Sequence, residues 1–376
     1  MTAVPSPRRP ARDITRLARP DLLALEGYEP IEPSDVLAER LGIPPERVVK
    51  LDGNENPYGP SPGALRALAE AGAYHMYPDP QQRKLRRALA DYVGVGEQHI
   101  VAGSGSDEII DLLLRAFLSP GDAVIDCPPA FGMYSFSAEV CGGRVLTAPR
   151  REDFSLDLSA IEAAAGQGAK ALFVASPNNP TGNAIARREL EALLSLDLLV
   201  VVDQAYVEFG GESFVSLVPE RENLVVLRTF SKWAGLAGLR VGFGVMATGV
   251  AHLLMGIKPP YNVNVAAQVA ALASLADSGL LKERVALLVA ERERMARALA
   301  QVSNLASLPS EANFILCRVL DGGGRALRDA LARRGVFVRY FDTPGSRDYV
   351  RVSVGLPEHT EALVRALEEI AHEARV

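Results

Sequence analysis

Cysteine is scarce in this chain, and several other features are absent. The 376 residues include only three cysteines, Cys127, Cys141 and Cys317, which are too few and too far apart for a disulfide framework or a metal-ligand cluster. No stretch reaches the roughly 20 apolar residues of a membrane span, and no apolar run follows the Arg- and Pro-rich first 13 residues as in a secretory signal. We therefore expect a cytoplasmic protein without a bound metal or a membrane partner.

An excess of positive charge is also missing. The chain has 40 Lys and Arg against 46 Asp and Glu, which gives a formal net charge of −6. Such a balance provides no basic field to attract nucleic acid, so a small-molecule partner is expected instead. With 48% hydrophobic and 23% charged residues, the composition is typical of a globular protein, and the length suggests two or three domains.

Short apolar runs alternate with longer amphipathic stretches between about residues 50 and 260. The runs are rich in Val, Leu and Ile and too short for helices, as is typical of buried parallel strands. They cover residues 100–102, 123–126, 171–175, 198–203, 224–227 and 241–245. The alternation predicts an α/β fold with a mostly parallel sheet sandwiched by helices. We expect a large domain over 50–260 and a smaller α+β domain from 261–376 with the N-terminal arm 1–49.

Two reactive side chains follow predicted strands, so both are expected at the same edge of the sheet. Lys232 comes after the run 224–227, and its amine can attack an aldehyde if burial or nearby cations lower its pKa. Asp203 ends the run 198–203, where it either caps a helix or keeps a pyridine nitrogen protonated, as pyridoxal 5′-phosphate (PLP) requires. Tyr206, three residues later, could donate to the phenolate oxygen of such a cofactor.

Two turns suit the remaining groups of that cofactor. Residues 103–108 (Gly-Ser-Gly-Ser-Asp-Glu) join a strand to a helical run, which presents free backbone N–H groups to a phosphate. The turn lacks both the Gly-x-Gly-x-x-Gly spacing and the lysine of nucleotide-binding loops, so a cofactor with one phosphate fits better than a nucleotide. A plain tight turn with a Ser or Asp cap is the alternative. The rigid turn 176–182 carries Asn179, whose amide could donate to an anionic ring oxygen.

The turn 103–108, the turn 176–182, Asp203 with Tyr206, and Lys232 follow one another along the chain. In this order they resemble the motifs of the fold-type I PLP-dependent aminotransferases. The most specific piece is Ser231-Lys232 followed eight residues later by Arg240. Within that group the chain is most similar to the histidinol-phosphate aminotransferase family. The matching segments are 51–57, 77–79, 105–108, 131–134, 205–209, 236–242, 260–264, 335–339 and 350–355. Two departures are Gln204, where the family usually has an acid, and Trp233, where a small residue is common.

The resemblance implies a role for each matching residue around the cofactor. Lys232 would hold PLP covalently and move the proton, and Asp203 would pair with the pyridine nitrogen. Asn179 and Tyr206 would bond the phenolate oxygen, and Phe131 would stack on the ring. The groups around the phosphate would be Ser106, Asp107, Thr229, Ser231 and Arg240.

The resemblance also implies a homodimer and a substrate site. Tyr77 would reach the phosphate of the neighbouring subunit. Arg351 would clamp a carboxylate or a phosphate by a bidentate fork, helped by Arg339 and Tyr28. The other substrate-binding candidates are Asn54, Tyr134 and Tyr261.

The implied reaction is a ping-pong transfer of an amino group between histidinol phosphate and 2-oxoglutarate. Three alternatives stay open at this point. An aromatic-amino-acid aminotransferase shares most of these motifs, and a threonine-phosphate decarboxylase also binds a phosphorylated amine. A PLP-binding regulator is the third, although the roughly 50 residues before the sheet are too few and not basic enough for an attached DNA-binding domain.

Overall fold

Strands and helices alternate along most of the chain in the computed structural model, which describes residues 13–25, 27, 30–343 and 345–373. The strands are β1 (Val49–Leu51), β2 (Ile100–Gly103), β3 (Ala123–Asp126), β4 (Arg144–Thr147), β5 (Ala169–Ala175), β6 (Leu199–Asp203), β7 (Leu224–Thr229), β8 (Gly242–Met246), β9 (Leu305–Ser307), β10 (Phe314–Val319), β11 (Val336–Tyr340) and β12 (Tyr349–Ser353).

The α-helices vary from a single turn near the N-terminus to the 22-residue α11. They are α1 (Pro20–Leu23), α2 (Ser34–Leu41), α3 (Pro62–Glu70), α4 (Arg83–Val93), α5 (Ser106–Phe117), α6 (Met133–Val140), α7 (Leu158–Ala165), α8 (Arg187–Leu194), α9 (Thr248–Ile257), α10 (Val265–Ala276), α11 (Ser278–Leu299), α12 (Gly323–Ala332) and α13 (Pro357–Glu373). Within the described ranges, none of them combines the length and the apolar character that crossing a bilayer demands.

The larger sheet has seven strands in the order β2-β8-β7-β6-β5-β3-β4. Strands β4, β3, β5, β6 and β7 pair in parallel, whereas β8 is antiparallel to both β7 and β2. Because two antiparallel pairings restore the original direction, β2 runs the same way as β7. The carboxyl ends of β2, β3, β5, β6 and β7 therefore meet at one edge, where α/β sheets bind ligands.

Helices cover both faces of this sheet, which explains the continuous apolar runs of its strands. Along β6, Val200 and Val202 pack into one core and Leu199 and Val201 into the other, as the two-residue period of a strand requires. The predicted α/β class is confirmed. Strand β4 was not predicted, because it is an edge strand whose residues are half-buried or exposed and therefore form no apolar run.

The smaller sheet has the order β1-β11-β12-β10-β9, with β1 parallel to β11 and the other pairs antiparallel. The predicted domain boundary at residue 50 falls inside β1, and the division into two domains stays a prediction. The helical tract after residue 265 is interrupted at Asp277, whose carboxylate accepts the backbone N–H of Gly63 at 3.0 Å. That contact ties the junction of α10 and α11 to the start of α3.

Gly235 illustrates how closely the loop after β7 packs, and it gives a stability test. Its φ is +68°, and a Cβ at this position would lie 2.4 Å from the backbone carbonyl carbon and oxygen of Gly59. Gly235→Ala should therefore lower the free energy of unfolding by about 3 kcal/mol, through left-handed strain and overlap with fixed backbone. Urea denaturation of the cofactor-free protein measures this change.

Gly238 provides the matched control three residues later. Nothing lies within 4 Å of its added Cβ, so Gly238→Ala should change the unfolding free energy by less than about 0.5 kcal/mol. Equal effects of the two substitutions would contradict the packing described here.

Candidate active site

One cleft lies at the carboxyl edge of the seven-stranded sheet and is bordered on the other side by β11 and β12. Its lining brings together most of the residues singled out in the sequence. These are Asn54, Ser106, Asp107, Phe131, Tyr134, Asn179, Asp203, Tyr206, Thr229, Ser231, Lys232, Arg240, Arg339 and Arg351. The cleft thus collects groups from segments that are far apart in the chain.

Lys232 reaches the cleft from the loop after β7. Its Nζ donates to the Gly53 carbonyl oxygen at 3.2 Å and lies 5.9 Å from the centre of the Tyr206 ring. Burial lowers the pKa of this amine to about 8, and the nearby cations Arg351 and Arg240 act in the same direction. A substantial fraction of the amine is therefore neutral near pH 8, the state in which a lysine is nucleophilic.

Asp203 ends β6 at the floor of the cleft and is held by two donors. Tyr134 Oη donates to Oδ2 at 2.8 Å, and the Ala205 backbone N–H donates to Oδ1 at 2.9 Å. Burial raises the pKa of Asp203 to about 6, while these hydrogen bonds oppose the rise. The carboxylate is consequently ionised at neutral pH in a site that is nearly closed to water.

Tyr134 occupies a different position from the substrate side that the resemblance implied. It is 1% exposed and packs face to face on Phe173 at 5.3 Å and edge-on to Phe131 at 5.6 Å. Its hydroxyl is directed at Asp203. Nothing in the sequence distinguishes a tyrosine that supports a carboxylate from one that contacts a ligand, so only the fold reveals this contact.

The glycine-rich turn joins β2 to α5 as its composition predicts. Gly105 has a φ of +79°, and α5 begins at Ser106, so the first N–H groups of the helix face the cleft. The Ser104 N–H donates to Glu108 at 2.6 Å, which closes the turn. A Cβ at Gly242 would lie 2.5 Å from the Ser106 nitrogen, so the glycine lets β8 approach the turn closely.

Positive charge and hydroxyl groups complete this end of the cleft. Arg240 Nη2 contacts Asp107 Oδ2 at 2.8 Å, and Arg240 adopts a left-handed backbone with φ of 52°. Thr229 Oγ1 accepts a hydrogen bond from the Ser231 backbone N–H at 3.1 Å and donates one to Ser231 Oγ at 3.0 Å. Helix N–H groups, a guanidinium and two hydroxyls together form a donor set for a phosphate.

The small sheet contributes two arginines that lie opposite each other. Arg339 on β11 and Arg351 on β12 are Cα partners in the antiparallel pair. Arg351 donates to Asn179 Oδ1 at 2.6 Å and to the Asp52 carbonyl oxygen. The Cζ atoms of Arg351 and Arg339 lie 5.6 and 5.7 Å from the centre of the Phe341 ring. Their arrangement provides cationic donors on the side of the cleft that β11 and β12 form.

Two residues singled out in the sequence do not line the cleft, and a third falls outside the described part of the chain. Tyr77 and Tyr261 stack on each other with ring centres 4.4 Å apart, are 81% and 45% exposed, and do not line the cleft. Tyr28 lies outside the described residues. In the part of the chain that the structure describes, no group of three or more His, Cys, Asp or Glu residues could hold a metal ion.

Several groups that line the cleft were not singled out from the sequence. Ile31, Gly53 and Phe341 line it, and the Asp52 carbonyl oxygen binds Arg351. Gly53 could have been predicted to line the cleft, because it precedes Asn54 within the matching segment 51–57. Ile31 and Phe341 could not have been predicted, since single apolar residues near strands occur throughout the chain.

The cleft matches the functional groups of PLP. The Lys232 amine suits an aldehyde, the buried Asp203 carboxylate suits a basic ring nitrogen, and the start of α5 suits a phosphate. The donors at the phosphate end include Arg240, whose present partner is Asp107. An electron-sink cofactor needs these three groups within one site.

Comparisons with known proteins agree with this chemistry. Residues 46–369 match the family model described as aminotransferase class I and II. The chain is 54% identical over 367 residues to a histidinol-phosphate aminotransferase of Roseiflexus castenholzii, covering 95% of this chain and 99% of the relative. It is 49% identical over 353 residues to a chloroplastic histidinol-phosphate aminotransferase of Nicotiana plumbaginifolia, covering 93% and 86%.

A solved structure extends the comparison to three dimensions. The crystal structure of histidinol-phosphate aminotransferase from Sinorhizobium meliloti in complex with pyridoxal-5′-phosphate superimposes with a TM-score of 0.86. The sequence identity is 28%, and the match covers 94% of this chain and 97% of that one.

The contact between Tyr134 and Asp203 gives a test of the site's electrostatics. Tyr134→Phe removes a hydrogen bond to the charged carboxylate, so the pKa of Asp203 should rise above its value of about 6, by about one pH unit. A pH titration by NMR of protein labelled with ¹³C at the aspartate carboxyl measures the change.

Tyr92→Phe is the matched control, because Tyr92 is a half-buried tyrosine that stacks on Trp233 and not on Asp203's neighbours. It should leave the titration of Asp203 unchanged. A Tyr134→Phe variant with an unaltered Asp203 titration would contradict the arrangement at the floor of the cleft.

Proposed function

Because the chain belongs to the aminotransferase class I and II family, we propose that it transfers the amino group of histidinol phosphate to 2-oxoglutarate with PLP as cofactor. The observation that carries this proposal is the pairing of a nucleophilic lysine with two arginines across one cleft. Lys232 and Asp203 line the sheet side, and Arg339 and Arg351 line the side of β11 and β12. Chemistry on an amine and recognition of an anion are thereby combined.

Lys232 has two tasks in this proposal. Its neutral amine, favoured by a pKa of about 8, would hold the cofactor covalently through the aldehyde, with loss of water. Once released for catalysis, the Lys232 amine would act as the base that takes the proton from the substrate carbon bearing the nitrogen, and then as the acid that returns a proton. PLP, when bound, supplies an electron sink that stabilises negative charge on that carbon.

Other residues would hold the ring in a reactive state. Asp203, kept ionised by Tyr134 and the Ala205 N–H, keeps the ring nitrogen protonated. Tyr206 and Asn179 donate to the ring oxygen. The Asn179 side-chain oxygen Oδ1 already accepts from Arg351 at 2.6 Å, which leaves the side-chain nitrogen Nδ2 for that role.

Binding of the cofactor phosphate uses the start of α5. The N–H groups of Ser106 and Asp107, the hydroxyls of Thr229 and Ser231, and the guanidinium of Arg240 surround it. A phosphate there would compete with the Asp107 carboxylate for Arg240, which makes a contact with that carboxylate at 2.8 Å. Phe131, which lines the cleft, would stack on the ring.

The two arginines account for the two substrates. One site must accept the carboxylate of glutamate and the phosphate of histidinol phosphate in alternate half-reactions. A guanidinium fork binds either anion through paired N–H donors. Arg351 is the central donor, and Arg339 adds a second positive charge from the neighbouring strand.

The proposal includes a homodimer located in the cytoplasm. Tyr74, Met76, Tyr77 and Tyr261 are all at least 45% exposed, and such a concentration of large apolar groups is typical of an interface. Tyr77 would reach the cofactor phosphate of the second copy.

The three cysteines are free thiols, which supports a reducing compartment. Residues 50–260 would form the cofactor-binding domain.

A titration followed by visible absorbance tests the proposed substrate. The protein loaded with PLP should show the visible band of the lysine-linked cofactor, and histidinol phosphate should convert it to the pyridoxamine form. Lys232→Ala should abolish the original band, because no other cleft lysine is available among the described lining residues. 2-Oxoglutarate should then restore the band in the wild type.

The alternatives give different outcomes in the same titration. Conversion by phenylalanine and not by histidinol phosphate would retain the aminotransferase and change its substrate. Release of carbon dioxide from threonine phosphate would indicate a decarboxylase. Failure of the wild type to develop any band with PLP would overturn the proposal as a whole.

Mixed dimers test the contribution of Tyr77. Tyr77→Phe should weaken PLP binding about tenfold through loss of one hydrogen bond to a charged group. A dimer of one Tyr77→Phe protomer and one Lys232→Ala protomer keeps one site with both a native Lys232 and the partner's Tyr77. That site should bind PLP with wild-type affinity. The mixed dimer should therefore bind half as much PLP per dimer as the wild type.

Tyr74→Phe serves as the control for exposed tyrosines, since the Tyr74 hydroxyl bonds the Leu68 carbonyl of its own chain. It should leave PLP affinity unchanged. A mixed dimer with the weakened affinity of Tyr77→Phe, or a wild-type protein that sediments as a monomer, would contradict the shared site.

A further inference from the structure

Asn54 lies where the two sheets meet, in a conformation that most residues avoid. It follows β1, and its φ of 52° lies in the left-handed region, which asparagine and glycine tolerate best. The residue is 1% exposed. Burial of a polar amide costs free energy unless its atoms are hydrogen-bonded, so its partners indicate which groups it holds in place.

Ser353 sets the orientation of the Asn54 amide. The Asn54 backbone N–H donates to Ser353 Oγ at 2.9 Å, and Ser353 Oγ donates its own proton to Asn54 Oδ1 at 2.7 Å. The amide nitrogen therefore points away from Ser353 and donates to Tyr206 Oη at 3.0 Å. Asn313 completes the network by donating to the Asn54 carbonyl oxygen at 3.0 Å.

This contact restricts the direction of the Tyr206 hydroxyl. A phenol has one proton to donate, and an amide N–H that points at its oxygen occupies an acceptor position. The proton of Tyr206 must then lie on another side of the oxygen. A donor on a hydroxyl also polarises its O–H bond, which strengthens the hydrogen bond that the hydroxyl gives.

We propose that Asn54 is a positioning residue that directs the hydroxyl proton of Tyr206 to the ring oxygen of the cofactor. The inference deepens the function proposed above and rests on it, since Tyr206 is the donor to that oxygen there. It assigns Asn54 a different role from the substrate contact that the resemblance implied. Ser353 lies two residues after Arg351 on β12, so one strand supplies both the anion-binding arginine and the serine that orients Asn54.

A single substitution separates this role from a purely structural one. Asn54→Gly keeps the left-handed backbone without strain and retains the backbone N–H and C=O that bond Ser353 and Asn313. It removes the side-chain amide, which donates to Tyr206 and accepts from the Ser353 hydroxyl. Asn56→Ala is the matched control in the same loop, because the Asn56 amide donates to the Trp233 carbonyl oxygen and not to Tyr206.

The readout is the pH midpoint of the visible absorbance change of the PLP-loaded protein. Donation to the ring oxygen disperses its negative charge, so weaker donation lets the cofactor–lysine linkage keep its proton to higher pH. Asn54→Gly should raise the midpoint by about one pH unit. Tyr206→Phe should raise it at least as far, and the double variant should match Tyr206→Phe alone. Asn56→Ala should lower the melting temperature and leave the midpoint in place.

Two results would overturn the inference. The first is an Asn54→Gly protein with the wild-type midpoint, and the second is an equal shift from Asn54→Gly in the Tyr206→Phe background. Should Asn54→Gly not retain PLP, Ser353→Ala takes its place and must raise the midpoint by a smaller amount, with an unchanged midpoint again decisive against the inference. A wild-type protein without a visible band would instead remove the proposed function itself.

Discussion

The shared direction of five strands is the constraint on which the site depends. Strands β2, β3, β5, β6 and β7 all end at the same edge of the seven-stranded sheet. The turn after β2 begins α5, β6 ends in Asp203, and the loop after β7 carries Lys232. Ser106 at the start of α5 and Lys232 are more than one hundred residues apart in sequence, and the shared direction of the strands brings them to one cleft together with Asp203. The second sheet then closes that cleft with the arginines of β11 and β12.

Burial at this edge sets the protonation states that the chemistry requires. It lowers the pKa of Lys232 to about 8 and raises that of Asp203 to about 6. The lowered pKa makes the Lys232 amine more nucleophilic. A larger rise in the pKa of Asp203 would leave its carboxyl group neutral. The hydrogen bonds from Tyr134 and the Ala205 N–H limit the rise. Desolvation and hydrogen bonding therefore act against each other at Asp203 and leave an ionised carboxylate at neutral pH.

The sequence predicted the central sheet and much of the cleft because both depend on local patterns. Apolar runs indicated the buried strands, and the turn 103–108 indicated the start of α5. Strand β4 was missed since its exposed edge gives no apolar run. The contacts of Tyr134 with Asp203 and of Asn54 with Tyr206 were also beyond sequence reasoning. They join residues 69 and 152 positions apart, and such pairs are determined by the packing of whole elements and not by spacing.

The most direct measurement is the chemical identification of the lysine that holds the cofactor. The protein is loaded with PLP, reduced with borohydride to make the link permanent, and digested for peptide mapping by mass spectrometry. The account predicts a single modified residue, Lys232, because among the described lysines it alone combines a lowered pKa of about 8 with a place in the cleft. Modification of Lys258, whose buried amine donates to the Pro80 carbonyl oxygen outside the cleft, or of surface lysines at random, would contradict it.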